Sequence, residues 1–142
     1  MRQVVSRARE PGAVLEIPLP NGRYAYARCY RDAVIGVYSE TSDEPGRPPS
    51  AEEGFRFFVG VYDDAMGPGG WRVVGKYPFA TPEDAWPPPM CIRDPITGEL
   101  SLYHKGEMRP ATAGECDGLE QAAVWEAEAV VSRIMSNRGS DL

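Results

Sequence analysis

The chain has 142 residues and a mass of 15.6 kDa, with 42% hydrophobic and 25% charged residues and a mean hydropathy of −0.39. That composition excludes wholesale disorder, and a single domain of this size buries roughly 68–70% of its unfolded surface, enough for a core. With 15 Lys+Arg against 21 Asp+Glu the net charge is −6 and the pI is near 4.8, the opposite of a phosphate-neutralising surface; nucleic acid is excluded as the expected partner, and a macromolecular partner should be basic.

The start, MRQVVSRAREPGAV, has no uninterrupted apolar stretch, and nowhere do about 18 apolar residues run together, so neither an export signal nor a membrane span is expected. Cys29, Cys91 and Cys116 are odd in number, widely separated and in no CxxC arrangement, which reads as a reduced, cytoplasmic chain without a disulfide framework or zinc ribbon. The expected organisation is one domain over 1–142, with a folded core over 12–135 and flexible ends at 1–11 and 136–142.

GAVLEIPLPNGRYAYARCYRDAVIGVYSE reads as three strands over 14–19, 23–30 and 34–39. Pro20-Asn21-Gly22 is a hairpin turn, since Asn and Gly tolerate positive φ. In the second strand Tyr24, Tyr26 and Arg28 share one face and Ala25, Ala27 and Cys29 the other, so the small residues should face something bulky. The polar segment 40–54 is a loop in which Ser50 and Glu53 stand at capping-box spacing for one helical turn. A strand follows with Phe55, Phe57, Val59 and Val61 on one face and Arg56, Phe58, Gly60 and Tyr62 on the other; aromatics on both faces predict a central position. DDAMGPGG then reads as a hairpin connector, with a turn at 66–70 and Trp71 opening the returning strand over 71–77.

PFATPEDAWPPPM is too rich in proline for a ladder or helix interior and is expected as an ordered extended loop pinned by Trp86. Strands over 90–93 and 100–104 flank DPITGE, whose Pro95 and Gly98 suit a second hairpin, with its turn at Thr97-Gly98. GECDGLEQAAVWEAEAVVSRIMSN is rich in Ala and Glu, carries a capping signature at Asp117 and Glu120, and predicts one long helix over 119–135. On its wheel Leu119, Ala123, Ala127, Val130, Val131 and Ile134 form the buried stripe, while Trp125 falls among Glu126 and Glu128 on the polar side. The fold class predicted is α+β, mainly β: a curved antiparallel sheet or partly open small barrel of six or seven strands with one C-terminal helix packed on it.

No GxSxG, HExxH, GxxxxGK[ST] or CxxC motif is present. GPGGW precedes a strand and does not open a helix, so it lacks the context of a phosphate loop. His104 is the single histidine and reads as a bonded or solvated residue at a strand end, without a positioned partner for acid/base work. Asp63 and Asp64 could bind a hard cation only with further ligands, and no DxDxDG loop accompanies them. Their first reading is a turn start, and no catalytic, metal or cofactor site is expected. Trp71 reads as core, while Trp125 is either packed under a loop or an exposed aromatic anchor flanked by acids.

The blocks IPLPNGRYAYARCYRDAVIGVYS, FRFFVGVY…GGWRVVGKYPF and CDGLEQAAVWEAEAVVSRI, in that order, resemble the Immunity protein 26 family of bacterial polymorphic toxin systems, over about 12–134. The resemblance implies a cytoplasmic, mainly β protein, not an enzyme, that binds and neutralises a cognate toxin domain in the producing cell. Partner contacts are expected at Trp125, Glu126 and Glu128, and secondarily at Asp63, Asp64 and Trp71, with no nucleic acid or membrane involved. Two other classes stay open: a small β-rich module binding a peptide or small ligand in a Tyr24/Tyr26/Trp71 cleft, and an enzyme, which would need Asp63, Asp64 or His104 in one pocket.

Overall fold

The computed structural model describes residues 10–66 and 70–137. The expected flexible ends therefore fall mostly outside the described residues, as do Gly67 and Gly69 of the anticipated turn. Among the described residues nine strands form two sheets. The larger has the order β5-β1-β2-β3-β4-β9, built from β1 (Ala13–Pro18), β2 (Tyr24–Cys29), β3 (Val34–Ser42), β4 (Phe55–Val61), β5 (Arg72–Lys76) and β9 (Val124–Trp125). The smaller is an antiparallel meander of β6 (Met90–Arg93), β7 (Leu100–His104) and β8 (Glu107–Pro110). Two helices follow, α1 (Ala113–Cys116) and α2 (Ala127–Asn137). The mainly β class with a C-terminal helix holds, and the larger sheet is open.

Alternation carries the first three strands as the sequence predicts. Leu15, Ile17, Ala25, Ala27, Cys29, Ile35 and Val37 enter one core cluster with Phe57, Val59 and Val61, and Val130 and Ile134 of α2 join them. The small β2 residues thus leave room for that bulk. Bulges between Val14 and Leu15, between Ala25 and Ala27 and at Val37/Tyr38 interrupt the ladders, and bulges bend and twist the strands that carry them. The third bulge corrects one side-chain assignment. Val37 pairs with Phe57 but Tyr38 with Phe55, so Phe55 leaves the Phe57 face and stacks on Tyr38 with ring centroids 4.5 Å apart. Gly36 makes that possible, because a Cβ there would lie 2.6 Å from Phe58 and 2.9 Å from Phe55.

This second face of the sheet is covered by irregular chain. Arg28 donates to the carbonyls of Tyr77 (2.7 Å) and Pro78 (3.0 Å) and stacks 3.8 Å from the Phe79 ring. Arg31 stands 4.2 Å from the Trp86 ring while its N–H reaches Ala85 O at 2.9 Å, which fixes the proline-rich segment as expected.

Several expectations change. The strand after the Gly-rich connector does not return beside β4; β5 pairs with β1 at the opposite edge, so DDAMGPGG opens a crossover and not a hairpin. Within it Asp63–Ala65 is a single 3-10 turn. The strand predicted as central, β4, is covered on one side only by the two-residue β9, in parallel. The 50–53 segment is a turn, closed by Glu53 N–H to Ser50 O at 3.1 Å, without a helix.

The helix predicted over 119–135 is shortened to α2, and a separate one-turn helix, α1, precedes it. Thr112 and Glu115 form a reciprocal capping box that starts α1, and Gly118 at φ 79° ends it in the left-handed conformation of a helix stop. Segment 119–126 is then drawn out by sheet partners: Cys91 N–H donates to Glu120 O (2.8 Å), Ala122 N–H to Cys91 O (2.9 Å), and Tyr62 N–H to Trp125 O (3.1 Å). Helix propensity yields here to tertiary hydrogen bonds. Leu119, Ala123 and Trp125 are accordingly not helical, whereas Val130 and Ile134 are buried as the wheel requires. Finally, Cys91 and Cys116, their Cα atoms 5.4 Å apart, form a disulfide, and Cys29 is buried outside that bond. The expectation of a wholly reduced chain does not hold.

Candidate functional site

Five of the six expected contact residues meet at one edge of the larger sheet. β4 and β9 run parallel, with Val61 opposite Trp125, so the residues following each strand emerge side by side. Tyr62, Asp63 and Asp64 leave β4, Glu126 and Glu128 leave β9, and all five are exposed. The two segments lie over 60 residues apart in sequence; the parallel pairing brings them together. Asp64, Glu126 and Glu128 form no ion pair among the described residues, so the edge keeps unneutralised negative charge.

Local structure fixes these groups. The carbonyl of Glu126 accepts the N–H groups of Ala129 (3.0 Å) and Val130 (3.1 Å), placing Glu126 at the start of α2 and Glu128 in its first turn, where acids favour the helix dipole. Trp125 is half-buried against the core, and the Arg133 guanidinium stands 5.3 Å from its ring while the same group lies 4.1 Å from Phe57. Arg133 is held in turn by both carboxylate oxygens of Glu120. Trp125 is therefore a partly covered residue of a strand and not a free anchor on a helix. Alternation places Tyr62, half exposed, on a strand face but not among the expected contacts.

Trp71 is the exception. It is 6% exposed within the core cluster and offers no ring to a partner. The proposed aromatic cleft fails for the same reason: Trp71 lies in the cluster on the Ala25 and Ala27 face, and Tyr26 is fully buried on the other. Nor does an acid/base constellation assemble. The groove that His104 lines, with Leu102, Glu107 and Arg109, contains neither Asp63 nor Asp64. Among the described residues no three His, Cys, Asp or Glu side chains lie close enough to hold a metal ion, and no helix is long and apolar enough to cross a membrane.

One buried carboxylate remains. Glu16, 3% exposed, accepts bonds from Gly46 N–H (2.5 Å), Tyr26 Oη (3.1 Å) and Arg72 Nε (3.1 Å). Burial raises its pKa, but the Gly46 amide, Arg72 and Tyr26 outweigh that and hold it below the ordinary carboxylate value. Every partner belongs to the protein, so Glu16 fastens the 43–47 loop and β5 to the sheet.

The family model of Immunity protein 26 matches residues 10–102. The match takes in β1 through the first part of β7, including Asp63 and Asp64, and ends before β9 and α2. No curated protein and no solved structure is detectably similar to the chain. The match bears out the resemblance over its first two blocks and leaves the third, over 116–134, outside it; spanning well over half the sequence, it is decisive: the chain belongs to the Immunity protein 26 family.

Proposed function

We propose that this chain is the immunity component of a bacterial toxin–immunity pair, binding and neutralising a cognate basic toxin domain in the cytoplasm of the cell that makes it. The family match carries the reading. Its mode is occlusion by protein contacts, without catalysis, cofactor, nucleic acid or membrane. The edge formed by Tyr62, Asp63, Asp64, Glu126 and Glu128 supports a basic partner, because the uncompensated charge of Asp64, Glu126 and Glu128 steers an opposite potential and raises association rates. Trp125 contributes from beneath as a rigid, half-covered ring.

The test is co-expression with the toxin domain encoded in the neighbouring gene, followed by surface plasmon resonance at two salt concentrations. The chain should protect the cell and bind. Glu126→Lys with Glu128→Lys should slow association about tenfold and flatten its salt dependence. Absence of both protection and binding overturns the reading. The cytoplasmic placement has its own check, since disulfides are rare there. The chain carries the Cys91–Cys116 disulfide, so fractionation of the producing cell is the test: recovery with the cytoplasmic fraction supports the placement, and recovery from an oxidising compartment overturns it.

A further inference from the structure

Where the β4–β9 edge meets the smaller sheet there is a groove of about 320 Å3. Val34 and Gly60 line it from the larger sheet, Tyr103 and Met108 from the smaller, and Val124 from β9. Gly60 sets its shape: a Cβ there would lie 2.9 Å from the Ala123 carbonyl oxygen, so only glycine lets segment 122–124 approach. Met108 and Val124 are 62% and 51% exposed, two apolar side chains left in water beside an apolar groove. Such an arrangement is what an unoccupied contact site looks like.

One charged side chain lines the groove, Asp32, and no lysine, arginine or histidine does. Asp32 sits in the left-handed conformation at φ 63°, and its Oδ2 accepts the Tyr103 hydroxyl at 2.9 Å. That bond, more than burial, raises the Tyr103 pKa and keeps the phenol a donor. Among the described residues Asp32 has no cationic partner. An apolar trough with a lone carboxylate is complementary to one kind of side chain: a long aliphatic stem ending in a cation. The surface beyond Val124 continues into Glu126 and Glu128, so the body carrying that side chain should also be basic. A second copy of this chain, at net charge −6, would bring acid against acid.

We propose that this groove is the anchoring socket for a lysine or arginine of the basic partner protein, its stem lying between Met108 and Val124 and its head on Asp32. The inference rests on the reading of the chain as a neutraliser of a basic toxin. Methionine at the rim suits the role, being unbranched and adaptable to an incoming side chain. The acidic edge then acts as the polar margin of a contact whose centre is this socket.

The socket can be probed without the toxin. n-Butylguanidinium, its neutral isostere n-butylurea and the anion pentanoate are titrated separately into the folded chain, followed by amide shifts. Butylguanidinium should shift residues 122–124 and Met108 and bind about twofold to fivefold tighter than butylurea, the scale of a partly exposed ion pair. Pentanoate should bind least. Asp32→Asn, which tolerates the same backbone conformation, should erase the preference for the cation, and Ala123→Phe should block all three. Equal binding of pentanoate, or shifts confined to another surface, overturns the socket. With the co-expressed toxin domain, Ala123→Phe should weaken binding at least tenfold. If the wild-type chain protects and Ala123→Phe protects equally, the socket falls while the immunity function stands. If butylguanidinium binds as expected but the wild-type chain does not protect, the immunity function falls and the socket stands.

Discussion

In the larger sheet the first five residues of β3, Val34 to Tyr38, are all buried, whereas in the smaller sheet all five residues of β7 are half-exposed and all four of β8 are exposed. The larger sheet has α2 and the core cluster on one face and aromatic and proline-rich chain on the other. The smaller sheet has no comparable cover and is tied down at its margins, by Cys91–Cys116, Tyr103 to Asp32, Lys105 to Glu83 and Arg109 to Glu115. Elements with few buried apolar contacts open at lower free energy than the core they attach to. The proposed socket lies at their junction, where a rigid wall faces a more compliant one.

The comparison breaks first if the larger sheet does not depend on its helix. Val130 has no exposed surface and Glu128, two residues earlier, is exposed. Val130→Asp should cost about 4 kcal/mol or more, because an unpaired charge would enter the core, a large share of a typical stability of roughly 5–15 kcal/mol, and should lower the denaturation midpoint sharply. Glu128→Ala should cost no more than about 1 kcal/mol, the scale of a helix-dipole contact. Equal denaturation midpoints for the two would reverse the orientation of α2.

That orientation was legible in the sequence, as were β1 to β3, since period-two and helical stripes record which side is buried. What escaped were decisions made between distant segments. Nothing in RVVGKY distinguishes pairing with β4 from pairing with β1. The Ala- and Glu-rich run 119–126 has helical propensity, and the groups that draw it out, at Cys91 and Tyr62, are distant in sequence. β8 went unseen because Glu107–Pro110 is exposed on both faces and shows no alternation. The disulfide joins cysteines 25 residues apart with no motif. The acidic edge was read as two separate patches, and the parallel pairing of β4 and β9 made them one.

The other face of the larger sheet is held by charge, and acid tests it. Glu16→Gln removes the anion that gathers Gly46, Tyr26 and Arg72, and should destabilise by about 2 kcal/mol near neutrality, the scale of hydrogen bonds to a charged group. The folded-state pKa is lowered from its ordinary value of 4.5. Its contribution is therefore fully present above that value and is lost as pH falls through the lower folded pKa. Urea denaturation of both proteins should give a gap that is constant at pH 6–8 and closes toward pH 3. A gap that widens in acid would mean that Glu16 is held protonated.

The smallest effect expected on overall unfolding comes from the tie that looks strongest. If the smaller sheet opens before the larger one unfolds, the chain between Cys91 and Cys116 is already disordered when the final transition begins. The constraint of the disulfide on that chain then acts equally on both sides of the transition and cancels. It does not cancel in the local opening, where closing a loop of this length contributes about 3 kcal/mol, or roughly a hundredfold in the opening equilibrium. Cys116→Ser, or reduction of the wild-type protein, should thus lower the hydrogen-exchange protection of β6 and β7 by up to that factor. Amides of β1 to β3, which exchange only on global unfolding, should change by no more than a few-fold. Equal loss of protection in both sheets would make them one cooperative unit, and the compliant wall of the socket would then be as rigid as the other.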